Sequence, residues 1–291
     1  MASNLIRGDE LFSEWRRDLL SGEPPIRFQL ADDGAALSSI QAAPGRVTAV
    51  GGAPGGGKTA LLMQLCVDGL RLSDELRVLV ANVEMPPAVL LSRQLARLSG
   101  IDLTIIQDRT FTDATRKQLE AGLCELETIC ERLNFVRGPF TMQNVAAAAD
   151  ESEPDILVLD YLQRFTSSAS GDRRGGLDES MSFIRQFADA GACVFLASAL
   201  ARQKDAAGRA TYRKSAMTLS AFRDSSEIEF GVDDAYILTA GKDPSQRTLL
   251  HLKSRNGECR DIELEFDGAV QQFSAALPTI DGAAAAAWWA P

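Results

Sequence analysis

Short, continuously apolar runs alternate along this chain with segments in which apolar residues recur every three or four positions. The apolar runs, which predict buried β-strands, cover residues 47–51, 77–83, 134–137, 155–160, 192–198 and 234–239. The periodic segments, which predict helices, cover residues 9–20, 58–65, 87–99, 117–133 and 179–190. Continuous apolar strands separated by helices are typical of an α/β fold with a mainly parallel sheet covered by helices on both faces.

The pattern changes towards the end of the chain. Residues 247–253 and 261–266 alternate apolar and polar positions around the turn residues 254–257, which predicts a C-terminal antiparallel hairpin extending the sheet. The alanine-rich end of the chain carries no such pattern, and we expect it to be disordered. The predicted organisation is an N-terminal segment over residues 1–33, one α/β domain over 34–275 and a tail over 276–291.

The N-terminal segment contains a short amphipathic helix over residues 9–20. Leu11, Phe12, Trp15 and Leu19 form its apolar stripe. Such a stripe needs a partner, and two partners are open: the chain's own domain or a neighbouring subunit.

Composition excludes several classes of protein. The chain has 291 residues, of which 45% are hydrophobic, enough for one large core. No apolar stretch is long enough to span a membrane, and the first residues do not resemble a signal peptide. The five cysteines are scattered, which is typical of reduced thiols in a cytoplasmic protein. A single histidine argues against a protein-only metal site and against hydrolases that depend on histidine.

The net charge of −10 argues against a protein dominated by a basic nucleic-acid footprint. The charge is uneven, however. Residues 202–214 hold five positive side chains and one negative, a local charge of +4, whereas residues 224–234 hold five negative side chains and no positive one. Particular loops, and not the overall isoelectric point, are therefore informative about which ligands the protein binds.

The most informative motif is Gly-x-x-x-x-Gly-Lys-Thr at residues 52–59, placed between a predicted strand and a predicted helix. Glycines let the backbone curl and aim several N–H groups at one phosphate, and the helix N-terminus adds its dipole. The lysine reaches the β- and γ-phosphates, and the threonine hydroxyl ligates Mg²⁺. The predicted ATP-binding residues are Gly52, Gly55, Gly56, Gly57, Lys58, Thr59 and Ala60. The alternative is an ordinary glycine turn.

Two carboxylates follow other predicted strands. Asp160 closes an apolar strand, the usual place for the carboxylate that holds Mg²⁺ together with Thr59. Glu84 follows the strand over 77–83 and is placed to deprotonate an attacking water. Ligands of parallel sheets bind at the carboxyl ends of strands, where both residues fall. The alternatives are a helix-capping or turn-forming aspartate and an ordinary exposed glutamate.

Five motifs occur in the order found in DnaB-type replicative helicases, and residues 34–275 resemble the RecA-like P-loop NTPase motor domain of that family. The motifs are Glu84-Met85-Pro86, Asp160-Tyr161-Leu162-Gln163, Phe222-Arg223-Asp224-Ser225, Lys253-Ser254-Arg255-Asn256-Gly257, and Phe266-Asp267-Gly268 followed by Gln271-Gln272-Phe273. The resemblance implies a ring, usually a hexamer, with ATP at the subunit boundaries and single-stranded DNA through its centre.

The resemblance also implies roles for individual residues. Lys58, Thr59 and Asp160 serve the nucleotide and Mg²⁺, and Glu84 is the catalytic base. Lys253 and Arg255 resemble a pair of cations that reaches into the neighbour's site and stabilises charge on the γ-phosphate; a solvated basic hairpin tip is the alternative. The implied DNA-binding residues are Arg223, Asp224, Ser226, Arg202, Arg209, Arg213, Lys214, Arg173 and Arg174, for which ordinary solvated loop charge is the alternative.

Two departures from the family pattern bear on mechanism. The family has Ser-Gln-Leu-x-Arg after the fourth core strand, where its glutamine senses the γ-phosphate; here Ala199 stands in that position and cannot hydrogen-bond a phosphate. The residues before the motor domain also do not match the family's N-terminal collar domain, and we expect only the helix over 9–20 in its place.

These observations predict an ATP-hydrolysing, ring-forming DNA motor that translocates on or unwinds DNA, with ATP and Mg²⁺ as cofactors. A second hypothesis is a nucleotide-gated assembly or regulatory ATPase that kept the RecA-like core and lost unwinding. A recombinase-like, RadA-type ATPase is a third, which the Asp-Tyr-Leu-Gln motif disfavours.

Overall fold

The computed structural model describes residues 5–165, 173–201, 203–204, 210–211, 217–222 and 225–276. Within these ranges, the description of residues 173–178, 203–204, 210–211 and 225–227 covers the backbone alone. The predicted tail, apart from Ala276, lies outside the described residues.

The chain alternates helices and strands along most of its described length. The helices are α1 (Gly8–Ser21), α2 (Lys58–Leu72), α3 (Pro87–Ser99), α4 (Leu103–Asp108), α5 (Asp113–Ile129), α6 (Met142–Ser152), α7 (Arg173–Asp189) and α8 (Ser225–Gly231). The strands are β1 (Val47–Gly52), β2 (Val78–Asn82), β3 (Leu133–Phe135), β4 (Ile156–Asp160), β5 (Cys193–Ala199), β6 (Gln203–Lys204), β7 (Ala210–Thr211), β8 (Asp234–Ala240), β9 (Gln246–Ser254), β10 (Ile262–Asp267) and β11 (Gln272–Ala275).

Nine of these strands form one sheet in the order β11-β10-β9-β8-β1-β5-β4-β2-β3. Strands β8, β1, β5, β4, β2 and β3 run parallel, whereas β9, β10 and β11 add antiparallel pairings at one side. The predicted α/β fold with a mainly parallel sheet and an antiparallel extension is therefore confirmed.

The core divides into two apolar layers, one on each face of the sheet. Residues of β2 alternate between them: Val78 and Val80 join the layer under α2, α3 and α5, and Leu79 and Ala81 join the layer under α6 and α7. All five residues of β2 are buried. Burial on both faces explains why the parallel strands read as continuous apolar runs instead of alternating ones.

Several elements differ from the sequence prediction. Helix α5 begins at Asp113, four residues before the predicted start, because Thr112 caps it and exchanges hydrogen bonds with Thr115. Helices α4, α6 and α8 and the short pair of β6 and β7 were not predicted. Helix α6 is rich in alanine and lacks a long apolar stripe, which left no periodic signal to find.

The C-terminal hairpin has a longer connection than predicted, because β9 ends at Ser254 and β10 begins only at Ile262. Strand β11, also not predicted, adds a third antiparallel strand and brings Phe273 beneath α2. Gln64 of α2 holds this strand: its amide donates to the Phe273 carbonyl at 2.9 Å and accepts from the Phe273 N–H at 2.8 Å.

Helix α1 has no buried residue. Its apolar stripe is exposed, with Trp15 at 53% and Phe12 at 57% of full accessibility. Of the two partners open from the sequence, the chain's own domain is therefore not the one seen in this structure. No helix among the described residues has the length and apolar character needed to cross a bilayer.

Candidate nucleotide site

The glycine loop lies between the end of β1 and the start of α2, as the motif predicts. Gly55 and Gly57 have φ angles of +71° and +101°, in the left-handed region that favours glycine. At Gly57 a Cβ atom would also lie 2.9 Å from the Phe273 Cζ atom, closer than packing allows. A side chain at Gly57 would therefore both strain the backbone and collide with β11.

Lys58, the first residue of α2, turns its side chain back over the loop. Its Nζ donates to the Gly52 carbonyl at 2.9 Å and to the Ala53 carbonyl at 3.2 Å. Burial lowers the pKa of Lys58 from its ordinary value, while the nearby Asp160 and Glu84 carboxylates oppose that shift. The ammonium group is thus held at the glycine loop, beside the two predicted catalytic carboxylates.

Thr59 and Asp160 meet directly. The Thr59 hydroxyl donates to Asp160 Oδ2 at 2.5 Å, and the Asn82 amide donates to the same oxygen at 2.8 Å. Burial raises the pKa of Asp160, against the opposing effects of the Thr59 hydrogen bond and the Lys58 charge. Hydroxyl and carboxylate oxygens beside a phosphate loop form the donor set that Mg²⁺ prefers, so these residues fit the ion.

Asn82 is a site residue that the sequence analysis missed. It ends β2 next to Asp160 of β4 and is 6% exposed. Its amide oxygen accepts from the backbone N–H groups of Glu84 at 3.0 Å and Met85 at 2.7 Å. Asn82 therefore holds both the Asp160 carboxylate and the turn that carries the predicted base Glu84, and asparagine commonly forms such local hydrogen bonds in turns.

The loop and the two carboxylates line one cleft of about 830 Å³. Its other walls are formed by Pro54, Met85, Arg93, Tyr161, Ala199, Leu200, Ala201, Phe266 and Gln271. Arg93 of α3 was not predicted as a site residue, although its Nε is buried and has no hydrogen-bond partner among the described residues. At another wall, the Phe266 ring stacks on Phe273 with centroids 4.5 Å apart and presents an aromatic surface to the cleft.

Ala199 lies at the carboxyl end of β5, opposite Gly52 of β1. It lines the cleft, and its side chain is only a methyl group. Gln163 lies close by, but its side chain is engaged with β5: it donates to the Ser198 hydroxyl at 2.9 Å and accepts from the Ala199 N–H at 3.2 Å. In this structure the Gln163 amide therefore does not replace the family's phosphate-sensing glutamine.

Lys253 and Arg255 are not brought together with the other predicted catalytic residues. The sheet register places Gly52 beside Leu238 but Thr48 beside Asp234, and Asp234 pairs with Ser254 of β9. The two cations thus flank the amino end of β8, at the edge of the sheet opposite the glycine loop.

The predicted DNA-binding residues fall mostly outside the described part of the chain. Arg202, Arg209, Arg213, Lys214, Arg223 and Asp224 are not described, and Arg173, Arg174 and Ser226 are described by backbone alone, at the starts of α7 and α8. Contact between these residues and DNA therefore stays a prediction.

We predict that Asp160→Asn separates stability from function. Since burial raises the pKa of Asp160, its contribution to stability is present at low pH and is lost as pH rises from 3.8 through the raised folded value. A neutral amide avoids that loss, so the melting temperature of the nucleotide-free protein at pH 7 should rise by about 1–4 °C. Turnover should fall by about a hundredfold or more, because the predicted Mg²⁺ ligand is lost.

The matched control is Asp155→Asn, which changes the residue directly before the same strand. Asp155 accepts a hydrogen bond from the Arg77 N–H at 2.8 Å and lies outside the cleft. The Asp155→Asn protein should therefore keep the wild-type rate of ATP turnover. Calorimetry and steady-state ATP hydrolysis measure the two effects, and a lower melting temperature for Asp160→Asn would contradict the burial argument.

A parallel sheet with a glycine loop at its carboxyl edge, a strand-ending aspartate beside it and an antiparallel extension defines a RecA-like P-loop ATPase domain. Residues 40–275 match the family model described as the DnaB-like helicase C terminal domain. The chain belongs to this family, which confirms the resemblance seen in its motifs, and it is a motor domain of the replicative helicase type.

Solved structures agree on the fold. One that is described as an ATPase domain matches with a TM-score of 0.77 and 17% identity, over 95% of this chain and 100% of that one. A DnaB-like replicative helicase, described with its interactions with primase, matches with a TM-score of 0.79 and 17% identity, over 94% of this chain and 69% of that one. At this identity the likeness establishes the fold alone. No curated protein matched the sequence.

Proposed function

We propose that this chain is an ATP-hydrolysing, ring-forming motor that translocates on or unwinds DNA, with ATP bound at the boundary between two copies. The observation that carries the proposal is the division of the catalytic residues. Lys58, Thr59, Asp160 and Glu84 surround one cleft, whereas Lys253 and Arg255 lie at the opposite edge of the sheet.

Within one copy, the cations Lys253 and Arg255 lie too far from the cleft residues to act on the same phosphate. Gly52 lies four positions after Thr48 on β1, which corresponds to about 13 Å of strand. A head-to-tail contact that repeats and closes into a ring would instead bring the hairpin edge of one copy to the cleft of the next. Arg255, whose side chain is 54% exposed, would then face the γ-phosphate in trans, as arginine fingers do.

Within the cleft, the residues divide the work. The loop N–H groups and Lys58 hold the phosphates, Thr59 and Asp160 hold Mg²⁺, and Glu84 orients and deprotonates the attacking water. Mg²⁺, when bound, supplies positive charge to the β- and γ-phosphates. Arg93, whose buried Nε lacks a partner among the described residues, is a further donor available to a phosphate oxygen.

Single-stranded DNA should stimulate ATP hydrolysis several-fold if the proposal is right. The test compares ATPase rates with and without a single-stranded oligonucleotide at salt concentrations down to about 50 mM, where phosphate contacts are strongest. Duplex DNA serves as the comparison ligand. An ATPase that single-stranded DNA leaves unchanged at every salt concentration would contradict the motor proposal.

We propose that the exposed stripe of α1 packs on a neighbouring copy and supports the ring. Trp15 and Phe12 are both more than half exposed and their rings lie 5.7 Å apart, which forms a compact apolar patch. Trp15→Ser should weaken assembly by about tenfold or more in concentration, since a buried tryptophan contributes about 2 kcal/mol or more at an interface. Sedimentation velocity across a dilution series measures this.

Arg16→Ser is the matched control for α1, because it changes the neighbouring position while keeping the apolar patch. It should assemble as the unaltered chain does. Identical sedimentation of the Trp15→Ser protein and the unaltered chain would rule out α1 as an assembly element.

A second function is favoured by Ala199. A methyl group at the end of β5 cannot sense the γ-phosphate, so hydrolysis and DNA binding can be uncoupled, and ATP would act as an interface ligand that controls assembly. Sedimentation with and without ATP, paired with a strand-displacement assay, separates the two functions. Oligomers that depend on ATP but displace no strand would support the regulatory ATPase.

A further inference from the structure

The guanidinium of Arg255 is bound by a buried carboxylate of its own subunit, that of Asp233. Arg255 Nη1 donates to Asp233 Oδ1 at 2.7 Å, and the Arg255 N–H donates to the Asp233 carbonyl at 2.9 Å. The side chain of Asp233 is 6% exposed, whereas that of Arg255 is 54% exposed. Asp233 thus fixes the Nη1 side of the guanidinium, while about half of the Arg255 side chain remains exposed to solvent.

Asp233 is itself fixed to the central strand of the sheet. Its backbone N–H donates to the Val47 carbonyl at 2.7 Å, and its Oδ2 accepts from the Val47 N–H at 2.8 Å. Oδ2 also accepts from Arg185 Nη1 of α7 at 3.0 Å. The carboxylate therefore has defined partners on β1, on α7 and on the hairpin, which leaves little freedom for its position.

Lys253 anchors the end of β9, next to the connection that carries Arg255. Its Nζ donates to the carbonyls of Glu229 at 2.5 Å and Val232 at 2.6 Å, at the C-terminal end of α8, where carbonyls lack helical partners. Burial, followed by the nearby Arg255 charge, lowers the pKa of Lys253. With Lys253 directed inward, Arg255 is the cation of the pair whose orientation depends on Asp233.

We infer that Asp233 is a positioning residue for the reaction at the next copy's ATP: it sets the direction in which Arg255 leaves the sheet edge. The inference rests on the proposed function, in which Arg255 acts in trans. An arginine presents five N–H donors in a rigid fork, so fixing one nitrogen orients the others. A displacement of about 1 Å at a catalytic group can cost about a hundredfold in rate.

The first test is Asp233→Asn, which keeps the size of the side chain and removes its charge. We expect kcat for ATP to fall by about 10- to 100-fold, while KM stays within about twofold, because Asp233 lies outside the cleft that binds the nucleotide. A normal kcat, or a rise in KM that accounts for the loss, would overturn the inference.

Asp234→Asn is the matched control. Asp234 is the next residue and is similarly buried, but its carboxylate pairs with Arg46 rather than with Arg255. Its substitution should lower the melting temperature and leave kcat per folded protein unchanged. Equal losses of kcat in both variants would mean that any damage to this edge of the sheet slows the enzyme, which would also overturn the inference.

Mixed rings give the sharper test. A Lys58→Ala copy lacks a functional glycine loop but carries a correctly held Arg255. An Asp233→Asn copy has an intact glycine loop but an Arg255 that is no longer held. Mixing equal amounts should raise turnover from the average of the two unmixed proteins, about 5% or less of the wild-type value, towards about a quarter of it, the share of boundaries that pair an intact glycine loop with a correctly held Arg255. No recovery in mixed rings would show that Asp233 acts on its own subunit's cleft.

The parallel mixture of Lys58→Ala with Arg255→Ala separates this inference from the proposed function. Recovery with Arg255→Ala but not with Asp233→Asn overturns only the positioning role. No recovery with either overturns the trans site itself.

Folding of Asp233→Asn can be compromised, because it leaves the partly buried guanidinium of Arg185 without its carboxylate. Should too little folded protein result, Asp233→Asn/Arg185→Met removes both members of that pair and is compared with Arg185→Met alone. The same fall in kcat and the same recovery in mixed rings are expected, and equal kcat values for the double variant and Arg185→Met would overturn the inference.

Discussion

Lys58→Ala is expected to reduce ATP turnover by about a thousandfold or more, since it removes the charge at the centre of the glycine loop. Lys58 Nζ lies within hydrogen-bonding distance of the Gly52 and Ala53 carbonyls and beside the Asp160 and Glu84 carboxylates. Alanine provides no donor for the β- and γ-phosphates, so both binding and transition-state stabilisation are lost.

The fold should survive this change. Burial lowers the pKa of Lys58, so keeping its ammonium charged costs the folded state free energy. Alanine also has the highest helix propensity, which suits a position at the start of α2. Lys242→Ala, at an exposed position in the β8–β9 turn, is the control and should retain full turnover. Steady-state hydrolysis and mant-ATP titration measure the effect. Normal turnover by Lys58→Ala would place the ATP site elsewhere.

Arg255→Ala should also cost about a thousandfold or more in turnover, in the range of arginine fingers supplied in trans. The physical reason differs, however. Arg255 lies outside its own subunit's cleft and at the opposite edge of the sheet, so the nucleotide affinity of isolated subunits should remain nearly unchanged. A loss of kcat without a loss of affinity is the signature of a group that acts from the neighbouring copy.

Arg260→Ala is the matched control for Arg255→Ala. Arg260 lies in the same connection between β9 and β10, is 81% exposed and forms an ion pair with the equally exposed Glu258 at 3.0 Å. Its loss should leave turnover intact. An Arg255→Ala protein that hydrolyses ATP at the normal rate would show that the hairpin cations take no part in catalysis.

The sequence predicted the parts of the fold that carry strong local signals. Continuous apolar runs located the central parallel strands, and their carboxyl ends located Gly52, Glu84 and Asp160 correctly around one cleft. Each of these strands and the residue at its end can be recognised from a few consecutive positions of the sequence. Helix α6 and strand β11 were missed, because an alanine-rich helix and a four-residue strand give weak periodic signals.

The contacts that organise the site were beyond sequence reasoning. Asn82 meets Asp160 across 78 positions, and Asp233 meets Val47 across 186. Arg93 occupies a polar position on α3 that looks like ordinary surface in the sequence, yet its Nε is buried at the cleft. Only the packing of α3 beside the glycine loop reveals it. Long-range pairings of this kind depend on strand order, which periodicity does not specify.

We propose that ATP is hydrolysed between two copies, with the glycine loop on one copy and Arg255 on the next. The most direct measurement mixes Lys58→Ala and Arg255→Ala proteins, each inactive alone, after sedimentation has shown that they assemble together. We expect equal mixing to restore turnover towards about a quarter of the wild-type value, since that share of boundaries pairs two intact halves. Mixed rings that stay as inactive as either variant alone would contradict it.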